Sequence, residues 1–227
     1  MNCTRRLPRH LVLDLDETLV HTEDDIHRYV ALGIANDPKL LHIRQNTFVM
    51  RLVDVVGARG AGQTEVWWVS KRPRLDLFLY YAFRTFETVS VWTAAKKKYA
   101  EAIVEEVFRD HPQPYLVWHW EMCEYDEDGH IIKPLEKMAL YMGVELEELC
   151  ILDDNRKTFS KNPDNAIWMP RWDPEPTVEG LERADNAFMK LIKMWSAIET
   201  TELTKQTRLA SVSRRAPSAT AFRLAEA

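Results

Sequence analysis

Residues 11–19, Leu-Val-Leu-Asp-Leu-Asp-Glu-Thr-Leu, place two carboxylates, Asp14 and Asp16, at the end of an apolar run. The run lacks helical periodicity, which predicts a strand buried on both faces, as in the middle of a parallel sheet. In open α/β sheets, ligands bind in the crevice outside the carboxyl ends of the strands. We therefore expect Asp14 and Asp16 to lie where chemistry takes place, although acids also cluster at strand ends without any function.

The chain of 227 residues is long enough for one larger domain or two small ones. We predict one folded domain over residues 10–199, after a short basic N-terminus of residues 1–9 and before a disordered tail of residues 200–227. The net charge is -5, but residues 201–227 hold five basic and two acidic residues. The folded body is therefore acidic, which argues against direct nucleic-acid binding as a general function.

The three cysteines, Cys3, Cys123 and Cys150, show no paired spacing. Neither a disulfide framework nor a zinc ribbon is indicated, and a reducing compartment is favoured. No stretch approaches the roughly 20 apolar residues of a membrane span. We expect a soluble, intracellular protein, cytoplasmic or nuclear, without a membrane partner; the oligomeric state stays open.

The rest of the chain alternates strand and helix patterns. Short buried strands are predicted at residues 88–92 and 149–152, and a hairpin at residues 47–56 and 64–70. Helices are predicted at residues 74–87, 96–110, 135–142 and 179–198, and a second hairpin within residues 115–132. Residues 21–45 have no clear pattern. This order predicts an α/β fold around a mainly parallel sheet with hairpin insertions.

Polar side chains follow three predicted strands: Asp14, Asp16, Thr93, Asp153 and Asp154. Neighbouring strands lie about 4.8 Å apart, so the ends of adjacent strands can bring these groups into one site. Four carboxylates would repel one another unless they surround a divalent cation. Mg²⁺ takes one or two carboxylates and keeps its other positions for water and substrate phosphate. With Lys133 as a fixed positive charge, the set indicates phosphoryl transfer.

The two acids of the first motif receive different roles. We predict that Asp14 is a nucleophile that forms an aspartyl-phosphate. Asp16 would give a proton to the leaving oxygen and then act as base on the attacking water. Thr18 would help to hold Asp16 in position.

The transferring phosphoryl group needs positive charge and hydrogen-bond donors around it. We predict that Mg²⁺ and Lys133 neutralise its oxygens. Thr93 and the backbone N–H groups that open the helix after Ala94 would bind another oxygen. On their own, Thr93 would more often be a helix cap and Lys133 a surface charge.

Residues 14–22, Asp-Leu-Asp-Glu-Thr-Leu-Val-His-Thr, resemble the signature of the haloacid-dehalogenase superfamily in the form found in RNA polymerase II C-terminal-domain phosphatases. Further similar motifs follow in order: Lys71-Arg72-Pro73, Trp92-Thr93-Ala94-Ala95 with Lys98-Tyr99-Ala100, Lys133, Asp153-Asp154 and Asn162-Pro163-Asp164-Asn165-Ala166. The resemblance covers roughly residues 10–198.

The resemblance implies a Rossmann-like sheet flanked by helices, without a large cap domain. It also implies a Mg²⁺-dependent phosphatase that acts on phosphoserine or phosphothreonine in a protein or peptide substrate. By this match, Asp14 and Asp154 are metal ligands, Asp16 adds its backbone carbonyl, and Asp153 orients Lys133 or the metal shell.

Two positions depart from the pattern. Small family members have an arginine three residues before the cysteine that matches Cys123, and here Trp120 stands there; some relatives have asparagine at the position of Asp154. Four tryptophans are either core residues of hairpins or walls of a substrate cleft: Trp67, Trp68, Trp118 and Trp120. Two alternatives stay open: a small-molecule phosphatase on the same fold, and a binding or scaffold protein that resembles the mitochondrial translocase receptor of this family. The presence of both Asp14 and Asp16 argues against the scaffold.

Overall fold

The computed structural model describes residues 7–53 and 64–215. Its central sheet consists, from edge to edge, of β10 (Ala166–Trp168), β9 (Leu149–Asp153), β1 (His10–Leu13), β5 (Thr88–Trp92) and β6 (Val117–Trp118). All neighbouring strands in it are parallel. Strand β1 is fully buried, with Leu11 and Leu13 in the core on one face of the sheet and Val12 in the core on the other.

Helices cover both faces of this sheet. Helices α3 (Leu75–Thr85), α4 (Lys97–Val107) and α7 (Ala187–Arg215) contribute apolar side chains to the larger core cluster, and α5 (Leu135–Met142) contributes to the other. The apolar stripes that predicted these helices are therefore the surfaces that they bury. The predicted α/β class with a mainly parallel sheet is confirmed.

Two small antiparallel sheets are inserted between these elements. One consists of β2 (Val20–Glu23), β4 (Thr64–Lys71) and β3 (Thr47–Val53). The other pairs β7 (Glu124–Tyr125) with β8 (Ile131–Ile132). The described residues include no large cap domain, and the tip predicted for the first hairpin, residues 54–63, lies outside them.

Several elements differ from the prediction. Strand β6 pairs in parallel with β5, so the second hairpin is confined to β7 and β8. Residues 21–45 contain most of β2 and two short helices, α1 (Ile26–Ala31) and α2 (Leu41–Gln45). These elements are too short to show a period. Strand β10 was not predicted, because three residues carry no alternation signal.

The predicted C-terminal helix is divided. Helix α6 (Val178–Glu182) ends before Asp185, and α7 then continues to Arg215. It therefore passes residue 199, where we expected the folded domain to end, and residues 216–227 lie outside the described part. Within residues 7–53 and 64–215, no helix combines the length and apolar character needed to cross a bilayer.

Arg72 connects three parts of the fold from the interior. It is 1% exposed, and its guanidinium donates to the carbonyl oxygens of Thr18 (3.2 Å) and Pro170 (2.9 Å). Two further bonds, of 3.1 and 2.9 Å, reach the carboxylate of Asp185 at the start of α7. The arginine thus ties the segment after β1 to the last helix.

We predict that Asp185→Asn lowers the free energy of unfolding by about 3 kcal/mol, because it leaves the buried Arg72 charge without its partner. Asparagine can still accept the hydrogen bond that Asp185 accepts from the Ala187 N–H, so this contact at the start of α7 is preserved. Urea denaturation measures the change. The exposed Asp110→Asn is the control and should shift stability by less than about 0.5 kcal/mol; equal effects of both variants would contradict the role of Arg72.

Candidate active site

The carboxyl ends of β1, β5 and β9 lie side by side and carry the predicted site residues. Leu13 is in register with Val91 of β5 and Leu152 of β9. The backbone N–H of Asp14 extends the ladder by donating to the Leu152 carbonyl (3.0 Å). Asp14 and Asp153 therefore lie on neighbouring strands at the same edge of the sheet, and the residue after β5, Thr93, lies on the other side of β1.

Lys133 lies between two of these carboxylates. Its Nζ atom is 2.5 Å from Oδ1 of Asp14 and 2.7 Å from Oδ2 of Asp153, and all three side chains are buried. The lysine follows β8, and its backbone N–H donates to the Thr158 carbonyl. Burial lowers the pKa of Lys133, but the two carboxylates more than offset this and raise it above its usual range. The ammonium charge is therefore maintained in the interior.

Asp14, Asp153 and Asp154 form a group that can hold a metal ion. One oxygen of each lies within 4.8 Å of the others. Burial and the charge of Asp153 raise the pKa values of both Asp14 and Asp154, although Lys133 opposes the shift at Asp14. Three carboxylates and one ammonium leave a surplus of two negative charges. Hard oxygen ligands with this charge suit Mg²⁺.

Thr18 contacts Asp14 and Asp154 of the candidate metal site instead of Asp16. Its hydroxyl oxygen lies 3.2 Å from Oδ2 of Asp14 and 3.2 Å from Oδ1 of Asp154, and it accepts from the Asp154 N–H (3.1 Å). We expected Thr18 to hold Asp16, and this expectation was wrong. The reason is the tight turn after β1, in which the Leu19 and Val20 N–H groups both donate to the Leu15 carbonyl, so that Thr18 comes back beside Asp14.

Asp16 lies apart from Asp14, Asp153 and Asp154, and its carboxylate is held by hydroxyl groups. Its Oδ1 accepts a hydrogen bond from the Tyr99 hydroxyl, and its Oδ2 is 3.4 Å from Oγ1 of Thr93. Burial raises the pKa of Asp16, and the bond from Tyr99 opposes that shift. The next residue, Glu17, has a left-handed backbone with φ of 60°, and its carboxylate is 3.1 Å from Nδ1 of His21.

The helix that we expected to open after Ala94 begins further along the chain. Helix α4 begins at Lys97, so Ala94 precedes it by three residues. One amide of the connecting turn, the Ala95 N–H, donates to Oγ1 of Thr93 (3.0 Å). Thr93 is buried at the bottom of this turn, next to Asp16.

Tyr99 was missed as a site residue. The sequence placed it on the apolar stripe of α4, and only its position next to Lys98 and Ala100 in the family motif could have drawn attention to it. Burial and the Asp16 carboxylate raise the pKa of Tyr99, so its hydroxyl keeps its proton. Its ring meets Trp67 of β4 edge to face, with centroids 6.0 Å apart.

A second aromatic pair lies beside the Thr93 turn. The Trp120 backbone N–H donates to the Ala95 carbonyl (2.8 Å), and its indole Nε1 donates to the Tyr125 hydroxyl (3.1 Å). Trp120 is 42% exposed and Tyr125 is 57% exposed. Trp120 is thus a surface residue at the edge of the site, whereas Trp67 is half-buried.

Comparison with curated proteins finds relatives of two kinds. The chain is 28% identical to CTD nuclear envelope phosphatase 1B of Danio rerio over 83% of this chain and 66% of the relative. It is 24% identical to Nuclear envelope morphology protein 1 of Saccharomyces cerevisiae over 74% of this chain and 36% of the relative. It is also 30% identical to mitochondrial import inner membrane translocase subunit tim50 of Neurospora crassa, over 62% of this chain and 25% of the relative. The chain spans less than two thirds of the length of each of these relatives.

Comparison with solved structures supports the fold. The chain resembles a variant of the fission yeast RNA polymerase II CTD phosphatase Fcp1 bound to beryllium fluoride, with a TM-score of 0.56 and 18% identity, over 93% of this chain and 57% of that one. A second structure of Fcp1 has a TM-score of 0.57 at 18% identity, over 91% of this chain and 54% of that one.

A single family model accounts for nearly the whole described chain. The model of NLI interacting factor-like phosphatases matches residues 9–205, from the residue before β1 to within helix α7. This range contains the carboxylates, the lysine and the hydroxyls at the edge of the sheet. The chain therefore belongs to the NLI interacting factor-like phosphatase family.

Proposed function

We propose that this protein is a Mg²⁺-dependent phosphatase that removes phosphate from serine or threonine residues of a polypeptide through an aspartyl-phosphate. The observation that supports it most directly is the difference between Asp14 and Asp16. Asp14 is paired with the Lys133 ammonium, whereas Asp16 meets hydroxyl groups and has its pKa raised by burial. Two carboxyl groups with such different surroundings suit a nucleophile and a proton donor.

The cation would be held by Asp14 and Asp154. Asp153 accepts hydrogen bonds from Lys133 (2.7 Å) and from the Asn155 N–H (2.8 Å), and we assign it to orienting the lysine. When bound, Mg²⁺ supplies positive charge to the phosphoryl oxygens and to the carboxylates around it. Thr18 fixes the distance between the two proposed ligands by contacting both.

In the first step, the Asp14 carboxylate attacks phosphorus and the bond to the serine or threonine oxygen breaks. Asp16 gives its proton to that oxygen, so that the alcohol leaves neutral. Lys133 and Thr93 stabilise the charge that develops on the transferring group. In the second step, water attacks the aspartyl-phosphate, Asp16 takes a proton from it, and phosphate and the free Asp14 carboxylate are formed.

The surroundings of the site favour a polypeptide substrate. The exposed pair Trp120 and Tyr125 borders the turn that contains Thr93 and Ala94, where the phosphoryl group would bind. Aromatic side chains at such an edge provide contact area for residues flanking the phosphorylated one. Relatives named as CTD phosphatases are consistent with this assignment.

A second candidate is a binding function with little or no turnover. The relatives that are mitochondrial import translocase subunits are the observation that favours it. Turnover of a phosphopeptide by the wild-type protein would exclude a pure binding function. Faster turnover of phosphorylated metabolites than of phosphopeptides would favour the other alternative, a small-molecule phosphatase.

We predict that Asp14→Asn reduces the release of phosphate from p-nitrophenyl phosphate at least about a thousandfold, because the amide is a poor nucleophile. Asparagine has the same shape and can still accept a hydrogen bond from Lys133. Colorimetric phosphate assays with Mg²⁺ and with EDTA measure the loss. Asp110→Asn is the control with unchanged activity, and wild-type rates in Asp14→Asn would remove Asp14 as the nucleophile.

We predict that Mg²⁺ stabilises the protein, by about 2.7 kcal/mol at a free concentration one hundred times its Kd. Asp154→Ala should abolish most of this stabilisation, since it removes a proposed ligand. Thermal unfolding with and without Mg²⁺ provides the test. Asp128→Ala, in the acidic group Asp126, Asp128 and His130, is the matched control. If Asp154→Ala responded to Mg²⁺ as the wild type does, the cation would have to be held elsewhere.

We predict that Trp120→Ala raises KM for a phosphopeptide by about tenfold, the loss expected when one aromatic contact is truncated. The kinetics with p-nitrophenyl phosphate should stay unchanged, because this small substrate does not reach Trp120. Tyr80→Ala, exposed on helix α3, is the control with unchanged KM for both substrates. Parallel changes with both substrates in Trp120→Ala would indicate a distorted site.

A further inference from the structure

The Tyr99 hydroxyl connects the Asp16 carboxyl group to a third hydroxyl. It donates to Oδ1 of Asp16 and lies 3.1 Å from Oγ1 of Thr22 in β2. Tyr99 is on helix α4 and Thr22 is in the inserted sheet, so this contact joins the helix to the first strand of that sheet. The neighbouring ring of Trp67 limits the movement of the tyrosine ring.

The number of protons on the two hydroxyl groups sets the direction of the hydrogen bonds from Thr22 through Tyr99 to Asp16. A tyrosine hydroxyl has one proton, and a threonine hydroxyl can donate as well as accept. When Tyr99 donates to Asp16, the proton between the two hydroxyls must come from Thr22. The chain then runs from Thr22 to Tyr99 to Oδ1 of Asp16, and Oδ1 is an acceptor. The proton of a neutral Asp16 is accordingly on Oδ2, the oxygen that is 3.4 Å from Thr93.

We propose that Tyr99 is a positioning residue that holds Asp16 with its proton-bearing Oδ2 directed at the leaving oxygen of the substrate. This role rests on the phosphatase function proposed above. In the first step the proton moves from Oδ2 to the serine oxygen as its bond to phosphorus breaks, and the new carboxylate keeps the Tyr99 bond at Oδ1. In the second step Oδ2 takes a proton from the attacking water, and the bond between phosphorus and Asp14 breaks.

The hydroxyl of Tyr99 can be removed without removing its packing. In Tyr99→Phe the ring still meets Trp67, while Asp16 loses its donor at Oδ1 and keeps only the 3.4 Å contact with Thr93 at Oδ2. The loss of activity in Tyr99→Phe should depend on how strongly the leaving group requires protonation. A serine alkoxide needs protonation, whereas dinitrophenolate is stable and leaves without it.

The test compares alkyl phosphates, a phosphoserine peptide and glycerol phosphate, with dinitrophenyl phosphate. In Tyr99→Phe we expect kcat/KM for the alkyl phosphates to fall about 10- to 100-fold, the value of one hydrogen bond to a charged group. The fall should be in kcat, with KM within about twofold. For dinitrophenyl phosphate we expect less than about a threefold change in kcat/KM, because the proton transfer contributes little.

Three further variants separate positioning from a general disturbance. Thr22→Val removes the donor to Tyr99 and should lower alkyl phosphate turnover about threefold, as one neutral hydrogen bond would, and Thr22→Ser should restore it. Tyr81→Phe removes a hydroxyl that is bound to Glu199 instead, and should change neither substrate class.

Two results would overturn the role of Tyr99 alone: equal losses on alkyl phosphates and dinitrophenyl phosphate, or no loss on either. Failure of the wild-type protein to hydrolyse any of these phosphates would overturn the phosphatase function, and the role of Tyr99 with it. Turnover by the wild type thus decides the function, and the ratio between substrate classes in Tyr99→Phe decides the role of Tyr99.

Discussion

The site depends on one buried interaction, the ammonium of Lys133 between the carboxylates of Asp14 and Asp153. Removing three charged groups from water is costly, and only their close pairing at 2.5 and 2.7 Å offsets that cost. The pairing brings the end of β8 against the ends of β1 and β9, which are far apart in the chain. One ammonium does not balance the three clustered carboxylates, so the same arrangement leaves net negative charge at the candidate metal site.

The second constraint is the tight turn that follows β1. Glu17 adopts a left-handed backbone there, and the Trp172 N–H donates to its carbonyl (2.8 Å). The Arg72 guanidinium donates a hydrogen bond to the Thr18 carbonyl. This turn directs Thr18 toward Asp14 and Asp154 while Asp16 points to the opposite side, toward α4. It therefore separates two acids that are only two residues apart into different chemical surroundings.

The strongly patterned parts of the fold could be predicted closely. The predicted strand at residues 88–92 and the predicted helix at residues 135–142 match β5 and α5, because buried runs and apolar stripes report directly on packing. The short elements could not be predicted, since α1, α2 and β10 depend on tertiary contacts. The position of β6 next to β5 and the interruption between α6 and α7 at Asp185 have the same cause. In each case a partner distant in sequence determines the local structure.

The sequence alone determined which chemical groups stand at the strand ends, because apolar runs that end in Asp14, Thr93 and Asp153 specify parallel strands whose ends meet. Only the tertiary structure decided which groups touch. It placed the Thr18 hydroxyl against Asp14 and Asp154 instead of against Asp16, and it brought the Tyr99 hydroxyl to Asp16. The physical reason is that a hydrogen bond requires placement within a few tenths of an ångström. That placement follows from the docking of α4 and the turn after β1, which no local pattern encodes.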